Sequence, residues 1–191
     1  MRIVGGIWRG RRLEAPEGRA VTRPTTDRVR EAMASMVLSA RGLDMTGARV
    51  LDAFAGSGAI GLELLSRGAS FAAFADADKS SVARVRRNAT QLGADKSTWS
   101  VTCANVLSDS GRRRLAGGPF DVVALDPPYA TPAEDVTELV ESLRDEGLLA
   151  EDALVLYERA SDAPELSVGG SEALKTKRYG GTAVDLIRLE A

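Results

Sequence analysis

Four consecutive residues, Asp126-Pro127-Pro128-Tyr129, put a carboxylate, two ring-locked backbone positions and an aromatic face next to one another. Proline fixes its own φ and has no N–H to donate, so the carbonyls beside Asp126 are left to accept hydrogen bonds. A carboxylate and a neighbouring carbonyl accept both hydrogens of an –NH₂ group, and a tyrosine ring gives a flat base a surface to stack on. The lone pair of an aromatic amine is delocalised into its ring and attacks poorly. Acceptors on both N–H bonds favour the pyramidal geometry in which that lone pair becomes a nucleophile. The chain has no histidine, so imidazole is excluded as general base, triad member or metal ligand. Chemistry here must work with carboxylates, amides, tyrosine and backbone groups.

A second group of residues could hold the other reactant. In Asp52-Ala53-Phe54-Ala55-Gly56-Ser57-Gly58-Ala59-Ile60-Gly61 the glycines follow the G-x-G-x-x-G spacing, and Asp76 stands twenty residues after Gly56. Glycines allow a tight turn and close approach of a ligand to the backbone. An acid at the end of the following strand can accept both hydroxyls of a ribose. By itself the motif serves any adenosine-bearing cofactor, nicotinamide dinucleotides included. Asp52 tilts the reading, because a carboxylate beside the loop is unwelcome next to a pyrophosphate and suits the ammonium of a methionine moiety.

These residues need a scaffold that brings them to one edge. From Ala48 onward, short apolar runs alternate with helical patterns. Strands are expected at Arg49 to Asp52, Phe71 to Asp76, Trp99 to Cys103, Phe120 to Asp126 and Ala153 to Glu158. Helices are expected from about Ala59 to Arg67, then with Val82, Val85, Ala89 and Leu92 inward and Arg84, Arg86 and Arg87 outward. A later helix carries Val136, Leu139, Val140 and Leu143 at i, i+3, i+4 and i+7. The tail reads as a hairpin, Ala173 to Tyr179 and Ala183 to Glu190 about Gly180-Gly181. Such alternation makes a mostly parallel sheet covered on both faces, with both acidic motifs at the carboxyl ends of strands.

Ahead of this unit, Arg2-Ile3-Val4, a Gly5-Gly6 turn and Ile7-Trp8-Arg9 read as a small extended hairpin. Thr25-Thr26-Asp27 then offers caps for a helix with Val29, Met33, Val37 and Ala40 on one face. Residues 1–46 are expected to form a basic appendage and residues 47–191 the catalytic domain. Residues 1–30 hold eight arginines against three acids, so the remainder balances at −7 for a net charge of −2. A basic arm on an acidic body points to a polyanion reached through the arm. Arg9, Arg11, Arg12, Arg23, Arg28 and Arg30 are the candidate phosphate contacts, on an arm that orders with RNA and can be removed without harm to the fold. Arg112-Arg113-Arg114 reads as a solvated helix face. Cys103 is the only cysteine, which leaves no intrachain disulfide and no ligand set for a structural zinc, so no metal site is expected. No apolar run nears the ~18 residues of a membrane span, and Met1-Arg2-Ile3-Val4-Gly5-Gly6 lacks a signal-peptide core. A cytoplasmic monomer without membrane contact is expected.

The stretch Leu51-Asp52-Ala53-Phe54-Ala55-Gly56-Ser57-Gly58-Ala59-Ile60-Gly61-Leu62-Glu63-Leu64-Leu65-Ser66-Arg67-Gly68-Ala69 resembles motif I of the bacterial 16S rRNA guanine-N2 methyltransferases of the RsmD type. So do the opening Arg2-Ile3-Val4-Gly5-Gly6-Ile7-Trp8-Arg9-Gly10-Arg11-Arg12-Leu13 and the segment Arg23-Pro24-Thr25-Thr26-Asp27-Arg28-Val29-Arg30-Glu31. The resemblance spans nearly the whole chain. It implies a class I, Rossmann-like, S-adenosylmethionine-dependent methyltransferase with a seven-stranded sheet. The cofactor would be held by Asp52, Ala55, Gly56, Ser57, Gly58, Asp76, Ala77, Asn105 and Val106, with Asp76 on the ribose and Asn105 near the adenine. Asp126, Pro127, Pro128 and Tyr129 would sit at the target base. The implied substrate is the N2 amino group of guanine 966 in 16S rRNA, within a partly assembled small subunit. Two positions depart from the family pattern: Asp76 stands where many members have Glu, and Asn105 where Asp is frequent. Other readings keep the chemistry with a DNA or different RNA amine, or invoke a nicotinamide-dependent oxidoreductase, which rests on the glycines alone.

Overall fold

The computed structural model describes residues 1–16 and 27–190. Seven strands form one sheet: β1 Arg49–Asp52, β2 Phe71–Asp76, β3 Trp99–Cys103, β4 Phe120–Leu125, β5 Leu149–Ala160, β6 Ser171–Tyr179 and β7 Thr182–Leu189. Their spatial order is 3-2-1-4-5-7-6. β1 to β5 run parallel, and β7 lies antiparallel between β5 and β6. Among the described residues five α-helices accompany them, α1 Asp27–Ala40, α2 Ala59–Ser66, α3 Lys79–Leu92, α4 Asp109–Arg112 and α5 Ala133–Asp145, with a single 3-10 turn at Lys96–Thr98.

The central strands are short apolar runs buried on both faces, as parallel strands under helices must be. On one face α1, α2 and α3 cover Val50, Ala72, Phe74, Val122 and Leu156. On the other, Val136, Leu139, Val140 and Leu143 of α5 pack on Leu51, Val123, Leu125 and Val155. The helix termini follow local chemistry. Asp78 caps α3 by accepting from the backbone N–H groups of Ser80 at 3.2 Å and Ser81 at 3.0 Å, and Gly93 ends the helix at φ 75°.

The closing hairpin turns at Gly180-Gly181 as expected; β7 pairs with β5 and β6 forms the edge. β5 starts earlier than its apolar run, at Leu149. The register against β4 slips between Phe120 and Val122, and Asp152 takes a positive φ of 58° there. Such an irregularity breaks the alternation by which a strand is read from sequence.

The N-terminal segment differs from the expected hairpin. Its one bridge joins Arg2 to Arg12, and residues 5–10 form the turn, so Ile7-Trp8-Arg9 is not a strand. Nor is the segment a removable arm. Ile3 and Leu13 are buried in the cluster that contains the sheet and α1. The N–H groups of Val4 and Gly5 donate to the two carboxylate oxygens of fully buried Glu63 at 2.7 and 2.8 Å. Trp8 N–H donates to Ser66 Oγ at 2.9 Å and Ile7 N–H to the Ser66 carbonyl at 2.8 Å. Removing these residues would strip a buried carboxylate of two donors, which argues against an arm that the fold can ignore.

Three arginines also turn inward against expectation. Arg30 is 2% exposed and donates to the Arg2 carbonyl at 2.9 Å and to Asp27. Arg84 is buried on α3 facing the loop that precedes α2. Arg112 is buried between Glu146, at 2.8 Å, and Asp109. Acids or carbonyls meet each guanidinium and offset part of its desolvation, although Nε of Arg30 and of Arg84 has no hydrogen-bond partner among the described residues and burial lowers the Arg30 pKa. Arg113 and Arg114 remain exposed.

Candidate active site

The strand registers bring three carboxylates to the same end of the sheet. Asp52 pairs with Phe74 of β2 and with Ala124 of β4, so Asp76 and Asp126 each stand two residues beyond its partners on either side. Neighbouring strands lie about 4.8 Å apart. After β1 the chain proceeds outward through β2 and β3, then returns to build β4 and β5 on the opposite side. The crevice over β1 and β4 is therefore the topological switch point, where open α/β sheets bind ligands.

The glycine loop is pinned to this crest. Gly56 N–H donates to Asp76 Oδ2 at 2.8 Å and Asp78 N–H to Asp76 Oδ1 at 2.8 Å, which fixes the carboxylate with lone pairs left on both oxygens. Gly56 has φ 55°, and a methyl group there would meet nothing nearer than the Phe54 carbonyl at 4.0 Å. That position is glycine for its backbone conformation and leaves open space above the loop. Gly61 is glycine for packing, since a Cβ would lie 2.4 Å from the Phe74 ring.

Asp52 is 2% exposed and accepts the Gly61 N–H at 3.0 Å. Burial pushes its carboxyl up to about 7, and the negative charges of Asp126 and Asp76 push the same way against the Gly61 hydrogen bond. A cation beside Asp52 would favour its ionised form. Ala55 and Ser57 are buried beneath the loop, while Ala77 and Asn105 are exposed beyond the ends of β2 and β3. Asn105 Oδ1 accepts the Leu107 N–H at 3.1 Å. The Val106 side chain lies in the core, leaving only its backbone to meet a ligand.

Asp126 follows β4 directly and is exposed, Pro127 is buried, and Tyr129 is 54% exposed. The Pro128 carbonyl accepts the Thr131 N–H at 2.8 Å. Both proline carbonyls were expected to be available to an amine. The turn engages one lone pair of the Pro128 carbonyl. Beside these residues opens a cavity of about 250 Å³, lined by residues 127–134 and 157–160 together with Ala163 and Pro164. One wall is held by Arg159, 4% exposed, which donates to Asp185 Oδ2 at 2.6 Å, to Glu165 Oε1 at 3.0 Å and to the Ala163 carbonyl at 2.6 Å. The sequence gives no periodic or motif signal for Arg159. Asn88, by contrast, carries one: with Val85, Ala89 and Leu92 it shares the inward face of α3, and a polar residue on such a face needs a partner.

Of the candidate phosphate contacts, Arg9, Arg11, Arg12 and Arg28 are exposed, Arg11 with a hydrogen bond to the Gln91 carbonyl at 2.5 Å. Arg30 is corrected: a guanidinium enclosed by protein and bonded to Asp27 and the Arg2 carbonyl has no face for RNA. Arg23, like the caps Thr25 and Thr26, lies outside the described residues.

The strand order 3-2-1-4-5-7-6, with an antiparallel strand inserted before the edge, is the sheet of the class I S-adenosylmethionine-dependent methyltransferases and departs from the 3-2-1-4-5-6 order of dinucleotide oxidoreductases. The magnesium protoporphyrin IX methyltransferase of Synechocystis shares this fold at TM-score 0.62 and 18% identity, over 84% of this chain and 79% of that one. Much nearer relatives narrow the family. The family model "Conserved hypothetical protein 95" matches residues 1–188. Ribosomal RNA small subunit methyltransferase D of Escherichia coli K12 is 37% identical over 181 residues, 95% of this chain and 85% of that protein. Its Haemophilus influenzae counterpart is 31% identical over 94% of this chain and 89% of its own. The yhhF structure from Escherichia coli superposes with TM-score 0.82 at 32% identity, covering 100% of this chain and 98% of the other. The chain belongs to the RsmD family.

Proposed function

We propose that this protein methylates the exocyclic N2 amine of a guanine in small-subunit ribosomal RNA, at the position corresponding to guanine 966, with S-adenosylmethionine as donor. The residues present suit that donor. Its ribose hydroxyls match the pinned Asp76 carboxylate, and its positive charges match the acids that crowd buried Asp52. The open space above Gly56 admits a ligand against the backbone. When bound, the donor supplies a sulfonium methyl, an electrophile that needs placement more than activation.

The protein's share is to prepare the amine. Asp126 and the Pro127 carbonyl accept its two hydrogens, and Tyr129 stacks against a base that has been drawn out of its helix into the adjoining cavity. Transfer would form the N–C bond as the donor's S–CH₃ bond breaks, its electron pair staying on the sulfur of S-adenosylhomocysteine, and Asp126 would take the amine's excess proton and pass it to water. Exposed Arg9, Arg11, Arg12 and Arg28 supply phosphate contacts that the acidic body lacks.

The observation that carries this reading is that Asp126 stands two residues past the strand position facing Asp52, with half-exposed Tyr129 lining the adjoining cavity. The test is transfer of labelled methyl from S-adenosylmethionine to small subunits and to naked 16S rRNA by the purified protein. Label recovered as N2-methylguanosine supports the reading. Label on adenine or cytosine, or on DNA alone, defeats it.

A further inference from the structure

Asn88 sits where the N-terminal segment, α3 and the glycine loop meet, and it is fully buried. Its amide is bonded on both sides. Oδ1 accepts the Glu14 N–H at 2.8 Å, and Nδ2 donates to the Glu14 carbonyl at 3.2 Å and to the Ser57 carbonyl at 2.9 Å. One side chain therefore grips the backbone of the N-terminal segment as a neighbouring strand would, and holds the middle of the glycine loop at the same time.

The surrounding contacts repeat that connection. Arg84 reaches the Gly56 carbonyl at 3.4 Å and lies 4.0 Å from the Glu14 carboxylate, while Arg87 clasps both Glu14 oxygens at 2.7 Å. Ser57 Oγ lies 3.3 Å from Met1 Sδ. Arg84, Arg87 and Asn88 are spaced i, i+3 and i+4, so one face of α3 carries all three. The carbonyls of Gly56 and Ser57 are thus fixed from below by the same helix that fixes Glu14.

We propose that Asn88 is a positioning residue that couples capture of RNA by the N-terminal segment to binding of the cofactor. The inference rests on the proposed function, with Arg9, Arg11 and Arg12 as phosphate contacts close to Glu14 in the chain. An amide this enclosed keeps its bonds to Glu14 and Ser57 together in only one arrangement of segment and loop. RNA that favours the seated segment then favours the loop as the cofactor needs it, and linkage makes the effect reciprocal. Couplings of this kind range from about fivefold upward in affinity.

The experiment is a binding cycle with S-adenosylhomocysteine and purified small ribosomal subunits, run on the wild-type chain, Asn88→Ala and Glu14→Pro. Wild type should bind S-adenosylhomocysteine at least about fivefold tighter with subunits present, and bind subunits tighter by the same factor with S-adenosylhomocysteine present. Asn88→Ala should bring that ratio close to one. Glu14→Pro removes the N–H that Asn88 Oδ1 accepts at a position whose side chain is exposed, so it tests the link even if Asn88→Ala does not fold, and it should lower the ratio while Asn88 still bonds Ser57. A wild-type ratio of one with both ligands bound overturns the inference and leaves the proposed function standing. So does an undiminished ratio in Glu14→Pro and any folded Asn88→Ala. Failure of the wild type to bind S-adenosylhomocysteine overturns the proposed function and this inference with it.

Discussion

Cofactor binding should release a proton from Asp52. In the free protein its carboxyl is raised to about 7, with burial the leading cause and the charges of Asp126 and Asp76 adding to it. A bound ammonium favours the ionised form, so at a pH below 7 the ligand must first displace a proton. If only the ionised carboxyl binds, affinity for S-adenosylhomocysteine rises about tenfold between about pH 6 and about pH 8, or roughly 1.4 kcal/mol. Proton release should fall from about 0.9 per ligand at the lower pH to about 0.1 at the higher. Calorimetry in two buffers of different ionisation enthalpy measures that number directly. The unliganded protein provides a check of sign. A carboxyl whose folded value lies above its unfolded value of 3.8 contributes stability that is whole below about 4 and is lost as pH rises through about 7. Asp52→Asn should remove both dependences. Flat affinity from about pH 6 to about pH 8, with no proton released, would refute the placement of the ammonium at Asp52.

Asp76→Ala should weaken S-adenosylhomocysteine binding by about 1–3 kcal/mol through loss of two hydroxyl hydrogen bonds to a charged acceptor, and calorimetry that shows unchanged affinity removes the ribose assignment. Asp126→Ala should keep that affinity near wild type and abolish methyl transfer; a variant with most of its turnover intact would mean that the amine is held elsewhere. Deletion of residues 1–13 should lower the melting temperature sharply, because Glu63 loses two buried donors and the core loses Ile3 and Leu13. Thermal unfolding at the wild-type temperature would show that this segment is dispensable to the fold.

The sheet was legible because each central strand is a bounded apolar run and each covering helix keeps its i, i+3, i+4 stripe. Asp52, Asp76 and Asp126 could be placed at one crest from strand ends alone. What escaped were interactions between segments far apart in sequence. Arg30, Arg84 and Arg112 read as surface charge, and only the fold reveals the carbonyls and acids that receive them. The docking of residues 1–13 depends on Glu63 and Ser66, helix positions whose polar character gives no hint of an N-terminal partner. Hairpin pairing was misjudged because Gly5-Gly6 matches a tight turn, while the backbone closes the wider turn of residues 5–10. The Pro128 carbonyl was counted as open because motif reasoning does not see the turn that returns Thr131 to it.

The central claim concerns one nitrogen on one class of base, and nucleoside mass spectrometry of 16S rRNA from cells with and without this gene tests it most directly. One N2-methylguanosine, mapped to the position of guanine 966, should disappear with the gene and return when it is restored, but not when Asp126→Ala is supplied in its place. An unchanged complement of N2-methylguanosine in the strain without the gene, or loss of a different methylated nucleoside, would contradict it.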